Sequence, residues 1–353
     1  MSKYTKSEDE IIVSNYGITP ITLWADKLPT RTIDAIASRA RRLKLKSGLI
    51  GNQITTGAYV KPTFIPDLPN PDGLTFEELW EAGVVFQHAS KRLSTRQNTP
   101  TIHLDVDHPI AVCFVADTHI GALDTPLDVV RARFDLLEEY PWIYPAGCGD
   151  MTDNYVPTSH AAGMFGALFP PELQKELVEN LYARLKGRWL WLIQGCHDEW
   201  SHNADDFDLT KYMSKNLGCV NLGFGGLVKL MVGAQEYQIA VRHKYRYNSS
   251  YNLTHAPKQL VRFDEQTADI AVVAHNHVSA IEQVQEKGKD RMYIRTGSMK
   301  GADRWARSVG FTDTGKNMPC VVLWPNKRQM MGFMDLEQCA DYMQSLGLGR
   351  KTE

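Results

Sequence analysis

The sequence predicts a layered α/β body preceded by a small all-α head. Three observations carry that expectation. From residue 101 onward, apolar runs of strand length alternate with longer stretches of helical period. Residues with metal-binding chemistry recur just past the ends of those runs, where layered α/β folds gather their sites. The first 47 residues carry helix signals and a local excess of positive charge instead.

At 353 residues the chain can bury one large core and still carry an appendage. The boundaries read as a head at 1–47, a linker at 48–74, a connecting helix at 75–100, a body at 101–340 and a tail at 341–353. Composition is that of a soluble globular protein, 43% hydrophobic and 23% charged. No apolar run approaches the roughly 18 residues of a membrane span, so no membrane partner is expected. The opening MSKYTKSEDE lacks a signal-peptide core, and the six cysteines are scattered without a CxxC pair. Reduced thiols and a cytoplasmic location follow as the expectation. The net charge of −2 is uneven: residues 1–50 hold nine Lys/Arg against five Asp/Glu, and the remainder is acidic. An anionic polymer would meet the head first.

In the head, Thr5 or Ser7 caps a helix over 5–16 with Ile11, Ile12 and Val13 on its apolar side, until Gly17 and Pro20 break it. A second short segment, Ile21 to Leu28, offers Trp24 and Leu28 to a core. Thr30 then caps a helix from Thr32 to Leu45, with Ile33, Ile36, Ala37, Ala40 and Leu43 at helical spacing. Arg31, Arg39, Arg41, Arg42, Lys44 and Lys46 line its other side. The pattern EDEII…Y…W…LP.RT..AI.SRARRL, over about 4–46, resembles a Myb/SANT-like helix-turn-helix module. That resemblance implies a third helix in the DNA major groove and DNA as a partner. A solvated basic helix on a protein-binding module is the plainer alternative. Residues 48–74, punctuated by Gly and Pro, read as linker. Residues 75–95 read as an amphipathic helix whose Leu79, Trp80, Val84, Val85 and Leu93 would pack on the body.

In the body, strands are expected at 102–106, 111–115, 142–146, 189–193, 227–232, 237–241, 270–273, 292–296 and 321–324. Helices are expected at 127–140, 171–186 and 207–217. Asp117 and His119 follow the second strand, and a carboxylate and an imidazole two residues apart can converge on one metal. Then come Gly149-Asp150, Gly195-Cys196-His197-Asp198, a lone His243 and His275-Asn276-His277, each after an apolar run. Each piece alone is weak, and the ordered series is specific.

The series Asp-x-His, Gly-Asp, Gly-x-His-Asp, His, His-x-His over about 111–325 resembles the calcineurin-like metallophosphoesterase superfamily. The resemblance implies a sandwich of two β-sheets flanked by helices, with two divalent ions held between loops. Asp117, His119 and His277 would hold the first ion, Asp150 would bridge, and His243 and His275 would hold the second. Manganese is the first expectation, with zinc or ferrous iron as alternatives. His197 would sit near the leaving oxygen as general acid or transition-state stabiliser, with Asp198 orienting its ring.

Two departures from the family pattern stand out. Cys196 occupies a position where the family commonly has a ligating Asn, so it is either a thiolate ligand or a small filler. Ala274 stands where Gly commonly precedes the His pair, a modest steric change. Asn154, Lys300 and Arg304 are candidates for contact with substrate. Asp153 reads as fixing a loop, Cys148 as core, and His160, His202 and His255 as loop or surface residues. The leading functional expectation is a two-metal phosphodiester hydrolase acting on DNA, a nuclease guided by the head. The alternatives are a phosphatase or phosphodiesterase for small-molecule or protein substrates, and a DNA-binding scaffold with a degenerate metal site.

Overall fold

The computed structural model describes residues 4–16, 21–45, 75–94, 99–159, 161–286, 288–312 and 315–350. Lys46, His160 and the expected linker at 48–74 lie outside the described residues, as does the side chain of Leu93. The chain divides into two compact units, residues 1–86 and 87–353.

The first unit holds α1 (Lys6–Asn15), two short 3-10 turns (Ile21–Leu23 and Ala25–Lys27) and α2 (Ile33–Arg42). Thr5 and Glu8 form a reciprocal capping box on α1, and Thr32 rather than Thr30 caps α2. The segment expected to be the middle helix is only a pair of 3-10 turns. Eight residues between prolines are too few to repay helix nucleation. The small core is Ile12, Trp24, Leu28, Ile36 and Ala40, whereas Val13 and Ile33 are exposed. Arg31 and Arg39 are engaged within the unit. Arg31 donates to both Glu8 oxygens at 2.7 and 3.0 Å, and Arg39 Nε donates to Asp9 at 2.8 Å. The Arg31 guanidinium beside Glu8 pulls that carboxyl down to about 2. The helix α3 (Phe76–Ser94) follows, and Leu79, Trp80, Val84 and Val85, expected to be packed, are exposed.

The second unit opens with β1 (Thr101–Leu104) and β2 (Ile110–Val115), then α4 (Leu127–Glu139), β3 (Ile143–Gly147), α5 (Pro171–Ala183), β4 (Trp191–Leu192), α6 (Cys196–Asp205) and α7 (Leu209–Leu217). It continues through β5 (Val220–Asn221), β6 (Gly225–Val232), β7 (Gln235–Arg242), α8 (His255–Phe263), β8 (Ile270–Val273), β9 (Ala280–Glu286) and β10 (Lys289–Arg295). It ends with α9 (Arg304–Ser308), β11 (Cys320–Leu323), β12 (Met330–Phe333) and α10 (Leu336–Ser345). A six-stranded sheet runs β1-β6-β7-β8-β10-β9, and a four-stranded sheet runs β12-β11-β2-β3; β4 and β5 form a short third pair.

Side-chain alternation sets the layers. On β2, Ile110, Val112 and Phe114 join Val228, Leu230, Ile239, Val241, Ile270 and Val272 between the two sheets. Ala111, Cys113 and Val115 face the other way, toward α4, α5 and α10. The outer face of the larger sheet is closed by α8 over Ala240, Ala271 and Tyr293. The result is the expected α/β double-sheet sandwich flanked by helices. The boundary expected at 340 falls inside α10, where Cys339, Ala340 and Met343 are buried in the core. Among the described residues, no helix is long and apolar enough to cross a membrane.

Candidate metal centre

The carboxyl ends of β2, β3 and β4 from one side, and of β7 and β8 from the other, meet along one edge of the sandwich. Each strand end delivers its residues through a sharp turn. Asp117, His119, Asp150, His275 and His277 all take left-handed backbone angles, with φ between 41° and 72°. Two glycines let the turns touch. A Cβ at Gly149 would meet His243 Nδ1 at 2.8 Å, and one at Gly195 would overlap Asp150.

The side chains fall into two linked groups, Asp117–His119–His277 and Cys196–His243–His275, joined through Asp150. His119 Nε2 lies 3.2 Å from His277 Nε2, and His243 Nε2 lies 3.3 Å from His275 Nδ1. Asp150 Oδ2 is 3.1 Å from His243 Nε2 and 3.8 Å from His119 Nε2. Asp117 Oδ1 is fully buried with no hydrogen bond, although His277 Nε2 is 3.3 Å away. Ligand nitrogens about 2.1 Å from a shared ion, at tetrahedral or octahedral angles, stand roughly 3.0–3.4 Å apart. Both histidine pairs have that spacing, and a buried carboxylate oxygen is left facing them, so the residues fit a pair of divalent ions.

For His119 and His275 protonation agrees with a ligand role, whereas at His243 burial is outweighed by Asp150, which raises that ring well above its ordinary value. Burial pushes His119 down to about 4, with His197 adding to the effect, and burial with His243 pushes His275 down to about 4. Both rings are therefore neutral at pH 7. His243 Nδ1 sits 2.9 Å from the Cys148 carbonyl, so Nδ1 carries a proton and Nε2 points at Asp150. Burial opposes the charge on Asp150, but His243 and His197 outweigh it and hold the carboxyl well below its usual range.

Among solved structures the chain is similar, at a distance, to several phosphoesterases. A calcineurin-like phosphoesterase from Bacillus subtilis is 10% identical with a TM-score of 0.38, over 68% of this chain and 97% of that one. A phosphatase from Mycoplasma pneumoniae is 11% identical with a TM-score of 0.37, over 68% and 100%. A predicted phosphoesterase from Streptococcus pneumoniae is 11% identical with a TM-score of 0.32, over 64% and 98%. No protein-family profile and no curated protein matches the chain. The metal centre therefore stands on the chain's own side chains.

Other expected site residues lie elsewhere in the network. Asp198 does not orient the His197 ring. It is the third residue of α6, and its carboxylate turns back to accept from the amides of Gly195 (2.9 Å), Asp150 (2.9 Å) and Met151 (3.2 Å). Burial and the charge of Asp150 push it up to about 7. The His197 ring is held by the Asp153 carbonyl, 2.5 Å from Nδ1, and by Trp200, whose ring centroid is 3.9 Å away. Cys196 Sγ lies 3.7 Å from His275 Nδ1, in position to complete the second group.

Asn154 is fully buried and occupied internally. Its side chain donates to the His197 carbonyl at 2.7 Å and accepts from Ser201 at 3.0 Å, so it braces the loop instead of facing substrate. Lys300 is buried between Asp153 and Asp303, 3.0 Å from each. Arg304, the first residue of α9, is exposed. Asp153 has a larger part than the sequence suggests. Its Oδ1 is 3.2 Å from His119 Nδ1, the ring nitrogen that does not face His277. Its place three residues after Asp150 on the same loop was the available signal. Cys148 is buried as expected, and His202 is half exposed beside Asp206. Arg242 is buried and paired with Glu265.

Proposed function

We propose that the chain is a two-metal phosphodiester hydrolase that acts on DNA and is brought to it by the basic N-terminal unit. The observation that carries the hydrolase reading is the convergence of seven ligand-type side chains, delivered by five strand ends, into two groups sharing Asp150. A pair of divalent ions there supplies electrophilic activation of a phosphate ester and a nucleophilic water at neutral pH.

The protein's own groups do the rest. Asp150 joins the halves of the centre, its Oδ1 fixed by the His197 amide at 2.8 Å. Asp153 and Lys300 hold His119 in one orientation. His197 has its Nδ1 committed to the Asp153 carbonyl, so the proton offered to a departing oxygen belongs to Nε2. Manganese is the proposed native metal, with zinc and ferrous iron compatible with the same donor set.

The DNA reading is supported by the free end of α2. Among the described residues Arg41 bonds only to its own helix, at Ser38 and Ala37. Among the described residues no carboxylate pairs with Arg42 or Lys44. Joining a phosphate-gripping unit to a hydrolytic one in the same chain raises the local concentration of substrate.

The test is incubation with manganese and single- or double-stranded DNA, with Asp150→Asn as control. Cleavage that disappears in the variant is the expected result. Turnover of a small chromogenic diester with no cut in either DNA would overturn the DNA reading. Absence of both activities, with no metal bound, would overturn the hydrolase reading.

A further inference from the structure

The loop that leaves the metal centre after His243 reads Lys-Tyr-Arg-Tyr-Asn-Ser-Ser-Tyr over 244–251. Two of its three aromatic rings are turned to solvent, while Tyr245 packs against the small core under α8. Tyr247 is 51% exposed and Tyr251 is fully exposed. Phe263, the last residue of α8, is 46% exposed and packs on Tyr247 with ring centroids 5.7 Å apart. The Arg246 guanidinium lies over this pair, 5.2 Å from the Tyr247 centroid and 5.4 Å from that of Phe263. Arg262 lies 5.3 Å from the same phenyl ring. Rings and guanidinium groups thus alternate on an open surface.

This surface is tied to the metal centre at two points. It starts one residue past His243. Asn248 Nδ2 donates to Asn276 Oδ1 at 2.9 Å, and Asn276 lies between His275 and His277. Its charge opposes that of the unit around it. Among the described residues, Lys244, Arg246 and Arg262 carry a single ion pair, Arg246 to Asp264 at 3.7 Å, and Asp264 also accepts from the Tyr245 hydroxyl at 2.9 Å. The neighbouring Glu265 is neutralised by Arg242 at 3.1 Å. The chain beyond residue 50 is acidic overall, so this is a local positive spot that draws a polyanion to the edge of the centre.

We infer that this platform, residues 244–251 with Arg262 and Phe263, binds an unpaired strand of nucleic acid and feeds it to the metal centre. The inference rests on the phosphodiesterase reading of the same site and names its substrate class. Exposed aromatic faces stack on bases that a duplex keeps hidden, and guanidinium groups take the phosphates between them. A protein partner would favour a continuous apolar patch with few charges at its centre. Here Arg246 lies over the rings of Tyr245, Tyr247 and Phe263, and Asn248, Ser249 and Ser250 interrupt the run.

The experiment is fluorescence anisotropy of a labelled 15-nucleotide oligothymidylate and of a duplex of equal length. It uses the full chain in EDTA, so that nothing is cleaved. The double variant Tyr247→Ala, Phe263→Ala should bind the single strand about tenfold or more weakly. Tyr247→Phe alone should stay within about twofold of the native chain, because it keeps the stacking face. Arg246→Ala should flatten the salt dependence of single-strand binding. Duplex affinity should change little in all three. A double variant with an unshifted melting midpoint and native single-strand affinity would overturn the inference, as would equal losses for single strand and duplex. The metal-centre reading fails separately: elemental analysis of the native chain showing no bound metal would sink it and leave the EDTA binding result standing.

Discussion

Gly195→Ala tests the closest approach in the metal centre. Gly195 has φ −92° and ψ 176°, extended angles that alanine adopts without strain, so the effect is steric alone. A Cβ there would overlap the amide nitrogen and Oδ1 of Asp150. Non-bonded heavy atoms prefer about 3.5 Å, so the two loops must part by roughly an ångström. Asp150 cannot yield independently. Its Oδ1 accepts from the His197 amide at 2.8 Å, and its own amide and that of Gly195 both donate to Asp198 at 2.9 Å. Forcing an extra methyl into such a packed place costs about 1–3 kcal/mol of stability. Moving a shared ligand by an ångström should cost on the order of a hundredfold in turnover, with loss of one bound ion. Metal content after dialysis, calorimetric titration with manganese and a thermal melt read these effects. Two ions bound at native affinity, with an unshifted melting midpoint, would refute the reasoning.

Further expectations follow from single contacts. Cys196→Ala should lower affinity for zinc more than for manganese, because a thiolate favours the softer ion; equal affinities for the native and variant chains would make the cysteine a filler. Arg39→Ala should lower the melting midpoint of the N-terminal unit by removing the Asp9 pair, whereas Arg42→Ala should leave that midpoint in place and reduce DNA affinity and its salt slope. Acid should loosen the same unit. The Arg31 guanidinium holds Glu8 down at about 2, so the stability it contributes is full above the ordinary carboxylate value near 4.5 and is lost as pH falls toward 2. Glu8→Gln should flatten the melting midpoint across that window, and an unchanged pH profile would remove Glu8 from the account.

The ligands were legible because their residue types are chemically constrained and their positions follow apolar runs. Strand β8 falls at Ile270–Val273 as read, and β2 begins one residue earlier than read. The roles of Asp198 and Asn154 were not legible. Each is a polar residue near a ligand, and only the fold shows that Asp198 is spent on backbone amides and Asn154 on the His197 carbonyl and the Ser201 hydroxyl. Asp198 is drawn inward because three amides at the start of α6 and after β3 need an acceptor in a dry place. Lys300 was misread for a related reason. A lysine after a glycine-rich turn looks like a phosphate hook, yet here Asp153 and Asp303 hold it under the surface. The head shows the opposite failure, since a basic stripe counted from sequence includes Arg31 and Arg39, which Glu8 and Asp9 have already taken. Helices α8 and α10 were missed because each is about ten residues or shorter and has no side-chain cap.

Strain explains why the ligand positions tolerate the chemistry they hold. Among the described residues, nine that are not glycine have positive φ, and six of them are Asp117, His119, Asp150, Asn154, His275 and His277. Asp, Asn and His enter the left-handed region more easily than most residues, but each still costs about 1 kcal/mol or more. The left-handed turns end the strands abruptly, crowding Asp117 with His119 into one group and dividing His275 and His277 between the two. Extended backbone would carry the second of each pair some 6–7 Å further along. The cost is offset by a dry network: Asp198 on three amides, the Ser298 hydroxyl on the Asp117 carbonyl at 2.9 Å, and the Thr118 hydroxyl on the Met151 carbonyl at 2.8 Å. Loosening that network therefore relaxes the turns and separates the ligands without touching one of them. The centre is as much a property of these buried backbone contacts as of the seven side chains that converge there.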